Sequence, residues 1–319
     1  MGARARWVEW LLRAGEWQRN VLVAAFALLG PDWAYAVSGL LARGLYRLLP
    51  GLRPLCEGQC AAALGARRSA AAVRRIAAAS WVHRVWNLTD LLLAERRLNP
   101  RTAARYGAVV PEPQRSELRQ AQAGRQPAIL VSAYYGPYDL LPAILGCSGL
   151  RTTAVYEPHL NPAFDARRQR IRARGGCELV PVARALTRLP EVLAAGGTVA
   201  LVADHADERR GVPITFLGLP TTAFRSVGLL AWRYAADVVV AGVRRRAPFR
   251  FEIEVADIIR PPDWRDADDP VRYIVQRYVR GLERIVLKDP AQYLWAYARW
   301  GRALARQMMG GHAGAAEGA

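Results

Sequence analysis

The sequence predicts an α/β fold: a mixed, partly parallel sheet flanked by helices, preceded by a helical region that contacts a membrane. Three observations carry this expectation. The first 120 residues repeat their apolar positions at helical spacing. From about residue 126, short apolar runs alternate with helix-length segments, and tryptophans and arginines crowd the N-terminus. With 319 residues, 52% of them hydrophobic, the chain is long enough for a full core. That composition excludes a disordered chain, a disulfide mini-scaffold and a fibre.

Taken in order, residues 4–19 read as an amphipathic helix in which Trp7, Trp10, Ala14 and Trp17 share a face and Arg6, Arg13 and Arg19 surround it. Tryptophans beside arginines suit the headgroup boundary of a bilayer. Glu9, Arg13 and Glu16 interrupt what would be the apolar part of a secretory signal. Two apolar runs follow, 21–30 and 33–42, split by Pro31-Asp32. Each is about half of the ~20 residues a spanning helix needs, so a helix–turn–helix lying on one leaflet is expected rather than a span. Residues 61–79 are alanine-rich with arginine pairs, and 81–98 continue the helical pattern until Asn99-Pro100 stops it; Pro111-Glu112-Pro113 marks a loop.

The period then changes. Strands are expected over 128–133, 152–156, 177–182, 197–204, 237–244 and 249–258, with helices over 138–145, 162–174, 186–195, 224–235 and 270–287. The organisation that follows is a helical, membrane-associated region over 1–120, an α/β domain over 121–305 and a flexible tail over 306–319.

The net charge is +18, and Lys288 is the only lysine among 45 basic residues. Such an excess faces an anionic membrane surface, a phosphorylated or CoA-type substrate, or nucleic acid. The arginines are spread along the whole chain and form no module interleaved with aromatics, so no nucleic-acid partner is expected. Cys56, Cys60, Cys147 and Cys177 have no metal-ligand spacing and read as reduced, buried thiols; no cofactor or metal is expected.

Phosphate loops, dinucleotide fingerprints, nucleophile elbows and zinc-protease motifs are absent from the sequence. What remains is polar residues just after the expected strands: Asp139, Glu157 with His159, and Asp204 with His205. Ligands of open α/β sheets bind at those strand ends.

Four blocks then come in a recognisable order. Leu130-Val131-Ser132-Ala133-Tyr134-Tyr135-Gly136-Pro137-Tyr138-Asp139 ends a strand. Tyr156-Glu157-Pro158-His159 precedes an arginine-rich helix that ends at Arg172-Ala173-Arg174-Gly175. Asp204-His205 precedes Phe216-Leu217-Gly218, and Tyr297-Ala298-Arg299-Trp300 comes last. Over residues 20–303 the sequence resembles the lipid A biosynthesis (late) acyltransferase family of the lysophospholipid acyltransferase superfamily.

The resemblance implies a membrane enzyme of the cytoplasmic leaflet of a bacterial inner membrane. It would move a fatty acyl group from acyl-carrier protein or acyl-CoA to a lipid or glycolipid acceptor. In the family, a histidine oriented by an acid five residues later takes the acceptor's proton. Here the acid is kept as Asp139, but the histidine slot holds Tyr134. A phenol, with an ordinary pKa near ~10, is a donor and not a base at neutral pH. Three substitutes are conceivable: Asp139 itself, a swung-in His205 or His159, or an amine acceptor that needs less help. The resemblance further implies that Gly136 lets backbone approach the thioester, and that Arg172, Arg174, Asp204 and Arg299 contribute to substrate binding. The alternative is a catalytically silent member that binds acyl chains or carrier protein, or supports a partner enzyme.

Overall fold

The computed structural model of the protein describes residues 30–48 and 52–300. The helix expected over 4–19, the apolar run 21–29, His312 and the tail from 306 lie outside the described residues.

Helix α1 covers the described residues 30–48, six residues beyond the expected end at 42. The long helical stretch that follows is divided into α2 (Leu52–Leu64) and α3 (Ala70–Arg97). The break at Gly65–Arg68 ends where the Ser69 side chain caps α3 by accepting the N–H of Ala72 at 3.3 Å. A short 3-10 turn and α4 (Gln114–Ala123) lead into the sheet.

Six strands form that sheet: β1 (Ala128–Ser132), β2 (Thr153–Tyr156), β3 (Glu178–Pro181), β4 (Thr198–Val202), β7 (Asp237–Ala247) and β8 (Arg250–Ile259). Their order is β3-β2-β4-β1-β7-β8, with every neighbouring pair parallel except β7 with β8. β1 is buried along its whole length, as a central parallel strand with both faces covered must be. The β5 (Val212–Phe216) and β6 (Leu219–Ala223) strands form a separate hairpin.

Alternate residues of β1 feed two cores. Ile129 and Val131 pack with Leu189 and Leu193 of α7 (Val182–Ala194), Val227 of α8 (Arg225–Tyr234) and Ile274 of α9 (Pro270–Lys288). Leu130 packs on the opposite face with Ile144 of α5 (Leu141–Cys147), Ile171 of α6 (Pro162–Arg172) and Leu91 of α3. The last turns of α3 therefore share a core with the sheet. α7 begins four residues before its expected start, directly at the end of β3.

All four cysteines are buried and free, and burial pushes the Cys56 and Cys60 thiols up to about 12. Among the described residues, no helix is long and apolar enough to cross a membrane, and no group of side chains has metal-site composition.

Candidate active site

The carboxyl ends of β1 and β4 lie side by side, because Ser132 and Val202 are register partners. The residues that follow each strand therefore meet. Asp204 accepts the backbone N–H of Tyr134 at 3.2 Å, and the His205 ring packs edge-on against the Tyr134 ring at 4.6 Å. Tyr138 lies 4.6 Å from Tyr134, and Tyr297, from the closing segment, lies 5.5 Å from Tyr134 and 4.8 Å from His205. Phe224 adds a fifth ring, 6.0 Å from His205. Tyr134, Asp204 and His205 are thus brought together. Tyr138, Tyr297 and Phe224 were not singled out as site residues, since an isolated aromatic gives no signal that distinguishes a site from a core.

Electrostatics separate the roles these groups can take. Burial raises the Tyr134 phenol, and the nearby Asp204 and Asp139 raise it further, so it stays protonated. Burial lowers His205 below the ordinary histidine range, outweighing the upward pull of Asp204. Its imidazole is therefore neutral at pH 7. The Val202 backbone beside the ring also pulls it upward, and burial outweighs both.

Asp139 sits just beyond, in the 3-10 turn Tyr138–Leu140. Its Oδ1 receives Arg168 at 2.9 Å and also Arg172, two residues one turn apart on α6. Burial alone would raise Asp139, but the Arg172 and Arg168 guanidiniums outweigh it and hold the carboxyl below its ordinary value. A carboxylate doubly paired in this way is a poor proton acceptor. Arg172 keeps two buried donors, Nε and Nη1, without a partner among the described residues. Arg168 is a site residue that the sequence reading did not select; its spacing of four from Arg172 on a helix was the available signal.

Three other expected residues serve different ends. Gly136 adopts φ +54°, and a Cβ there would come within 1.9 Å of the Val243 carbonyl oxygen. Its N–H already donates to the Gln292 carbonyl at 2.9 Å. The glycine thus lets the loop pass β7, and its amide is not free for a thioester carbonyl. Arg174 donates to the carbonyls of Ala94 (2.8 Å), Glu95 and Leu98, capping the end of α3 instead of joining Arg172. Arg299, 1% exposed, donates to Thr221 and Thr222 of β6 at 3.3 Å each and lies 4.7 Å over the Phe216 ring. It ties the closing segment to the hairpin. His159 stands apart from the ring cluster, its Nδ1 accepting the Asn161 N–H at the start of α6. His83 lies partly buried on α3 beside Arg245.

The profile of the bacterial lipid A biosynthesis acyltransferase family matches residues 4–302, nearly the entire chain. The chain belongs to that family. No curated protein matches it. Membership makes acyl transfer the general class of chemistry for the chain. Asp139 follows Tyr134 by five residues, yet its carboxylate pairs with α6.

Proposed function

We propose that this protein is a membrane-surface acyltransferase in which His205 replaces the missing motif histidine as general base. The observation that carries the reading is the neutral His205 imidazole held against Tyr134, while Asp139 is locked between two arginines. The acceptor is a lipid or glycolipid hydroxyl, and the donor is a fatty acyl thioester of carrier protein or CoA.

In the first step His205 takes the hydroxyl proton as the acceptor oxygen bonds to the thioester carbonyl carbon. Negative charge then gathers on the carbonyl oxygen, and the protonated Tyr134 phenol is the donor placed to stabilise it. Collapse of the tetrahedral intermediate breaks the C–S bond. The departing thiolate regains the proton from the imidazolium, leaving a free thiol and an acylated lipid. No metal or organic cofactor enters this balance.

The surface of α1 supports the membrane part of the reading. Trp33, Val37, Leu40, Leu41, Leu45 and Leu48 are all exposed, with Leu40 70% and Leu48 77% exposed, while Ala34, Tyr35, Ser38 and Ala42 face inward. Arg43 and Arg47 are exposed on the same helix. An apolar stripe with cations beside it fits the interface of an anionic leaflet. The cytoplasmic face of an inner membrane, where acyl thioesters are made, is the surface we assign it to.

Thiol release from a panel of acyl thioesters, with the organism's lipid extract as acceptor source, tests the proposal. Full-length protein in detergent should release thiol and acylate a lipid, and His205→Ala should lose both activities. A silent wild type that gains turnover on Tyr134→His would instead make the natural protein a binder of acyl groups or a support for a partner enzyme.

A further inference from the structure

β7 is eleven residues long and its parallel neighbour β1 only five, and their pairing ends at Val131 with Val240. Beyond that point the edge of β7 that faced β1 has backbone groups to satisfy. At Arg245 a side chain does this. The Gln292 carboxamide oxygen accepts the Arg245 N–H at 2.8 Å, and its nitrogen donates to the Arg245 carbonyl at 2.9 Å and to Asp289 Oδ2 at 2.8 Å. Gln292 is 4% exposed and imitates one residue of an adjoining strand.

The backbone of the same segment holds the site loop. The Gln292 carbonyl accepts the Gly136 N–H at 2.9 Å, the Leu294 N–H donates to the Tyr134 carbonyl at 3.0 Å, and Tyr135 and Tyr293 form an antiparallel bridge. The Arg245 end is itself immobilised. Its guanidinium, buried on α3, donates to Asp90 (3.1 Å from Nε), Asn87 (2.6 Å) and the Tyr35 hydroxyl of α1 (3.2 Å), and meets His83 Nδ1 at 2.8 Å. A rigid anchor, one carboxamide and two backbone bonds thus separate α1 and α3 from the loop that carries Tyr134.

We propose that Gln292 is a positioning residue for acyl transfer: docked on the free edge of β7 at Arg245, it registers the segment 289–297 and thereby sets Tyr134 against His205 and Tyr297. An amide is the side chain required, because the edge presents one donor and one acceptor at a single residue. Methionine has similar length without either bond, and glutamate keeps the acceptor but sets a carboxylate against the Arg245 carbonyl and Asp289. The idea rests on the proposed acyl transfer only for its kinetic consequence.

The test compares Gln292→Met and Gln292→Glu with the full-length wild type in detergent. Ser148→Ala serves as a matched loss of buried bonds remote from the ring cluster, since Ser148 accepts the Val110 N–H and donates to Ile144. Hydrogen exchange of the peptide containing Gly136 should speed up at least ten-fold in both Gln292 variants and stay unchanged in Ser148→Ala. Thiol release should lose at least ten-fold in kcat with KM for the thioester within two-fold, again unlike Ser148→Ala. Unchanged exchange at Gly136, or a kcat loss that merely matches Ser148→Ala at equal thermal stability, overturns the proposal. If the wild type releases no thiol, the acyl-transfer reading fails by itself, and the exchange measurement still decides whether Gln292 holds the loop. Should Gln292→Met not fold, the isosteric Gln292→Glu carries the comparison.

Discussion

A phenol at position 134 changes which neighbour can move a proton. Tyr134 is raised by burial and stays a donor, whereas burial lowers His205 and keeps it an acceptor. His205→Ala should therefore cost about 10²–10⁴ in kcat/KM for acyl transfer with thermal stability unchanged. Tyr134→Phe, which removes the donor and keeps the ring, should cost on the order of 10² in kcat. Because the folded pKa of His205 lies below the ordinary value of about 6.5, the rate should hold level through neutrality. It should fall only as the pH drops through that lowered pKa, and an acid limb centred above 6.5 would exclude this base. Asp139 follows the opposite logic. Its folded pKa is below the unfolded value of about 3.9, so its contribution to stability is whole above that pH and is lost as pH falls through the folded pKa. Asp139→Asn leaves the buried Arg172 and the partly buried Arg168 without their carboxylate. It should destabilise the fold by about 3–5 kcal/mol in urea titrations at pH 7 and flatten the acid dependence.

Among the elements, the closing segment is held from the N-terminal helices. The Gln59 side chain of α2 donates to the carbonyls of Trp295 (2.7 Å) and Tyr297 (2.8 Å) and accepts the Arg299 N–H at 3.0 Å. Tyr297 in turn packs against both Tyr134 and His205. Gln59→Ala should lower stability by about 1–3 kcal/mol, read from urea unfolding, because it strands buried backbone groups. Most strands and helices of the α/β part were legible as runs and periods, and their ends moved by a few residues. The break between α2 and α3 was not legible: the alanine-rich sequence on either side is helical by propensity, and only the Gly65 and Ser69 signals mark the interruption. The start of α7 at Val182 was hidden as well, since Pro181 closes β3 and caps α7 without an intervening loop.

For the whole molecule, charge and exposed apolar surface act together. A net charge of +18 favours approach to any anionic surface, and the α1 stripe supplies what burial in an interface requires. Burying a leucine is worth about 1.5–3 kcal/mol. Replacing Leu40 and Leu41 together by glutamate should therefore weaken co-flotation with anionic vesicles by at least roughly 10²-fold, leaving the far-ultraviolet circular dichroism unchanged. Wild-type flotation should weaken with added salt, because the arginine contribution is screened. Equal flotation of variant and wild type would remove α1 from the membrane contact.

By itself the sequence determined the alternation of strands and helices, the helices over the described part of the first 120 residues, the buried thiols and the four blocks that mark the family. Each of these rests on local periodicity or on residues close together in the chain. Tertiary structure alone decided the partners. Asp139 meets Arg168 and Arg172, His205 meets Tyr134, and Gln292 meets Arg245, across separations of 29 to 71 residues. Gly136 illustrates the difference: its place in the motif was plain, but the Val243 carbonyl that requires a glycine comes from a strand more than a hundred residues later. Such meetings depend on strand order and on where each strand ends, and neither is encoded in the period of any one segment.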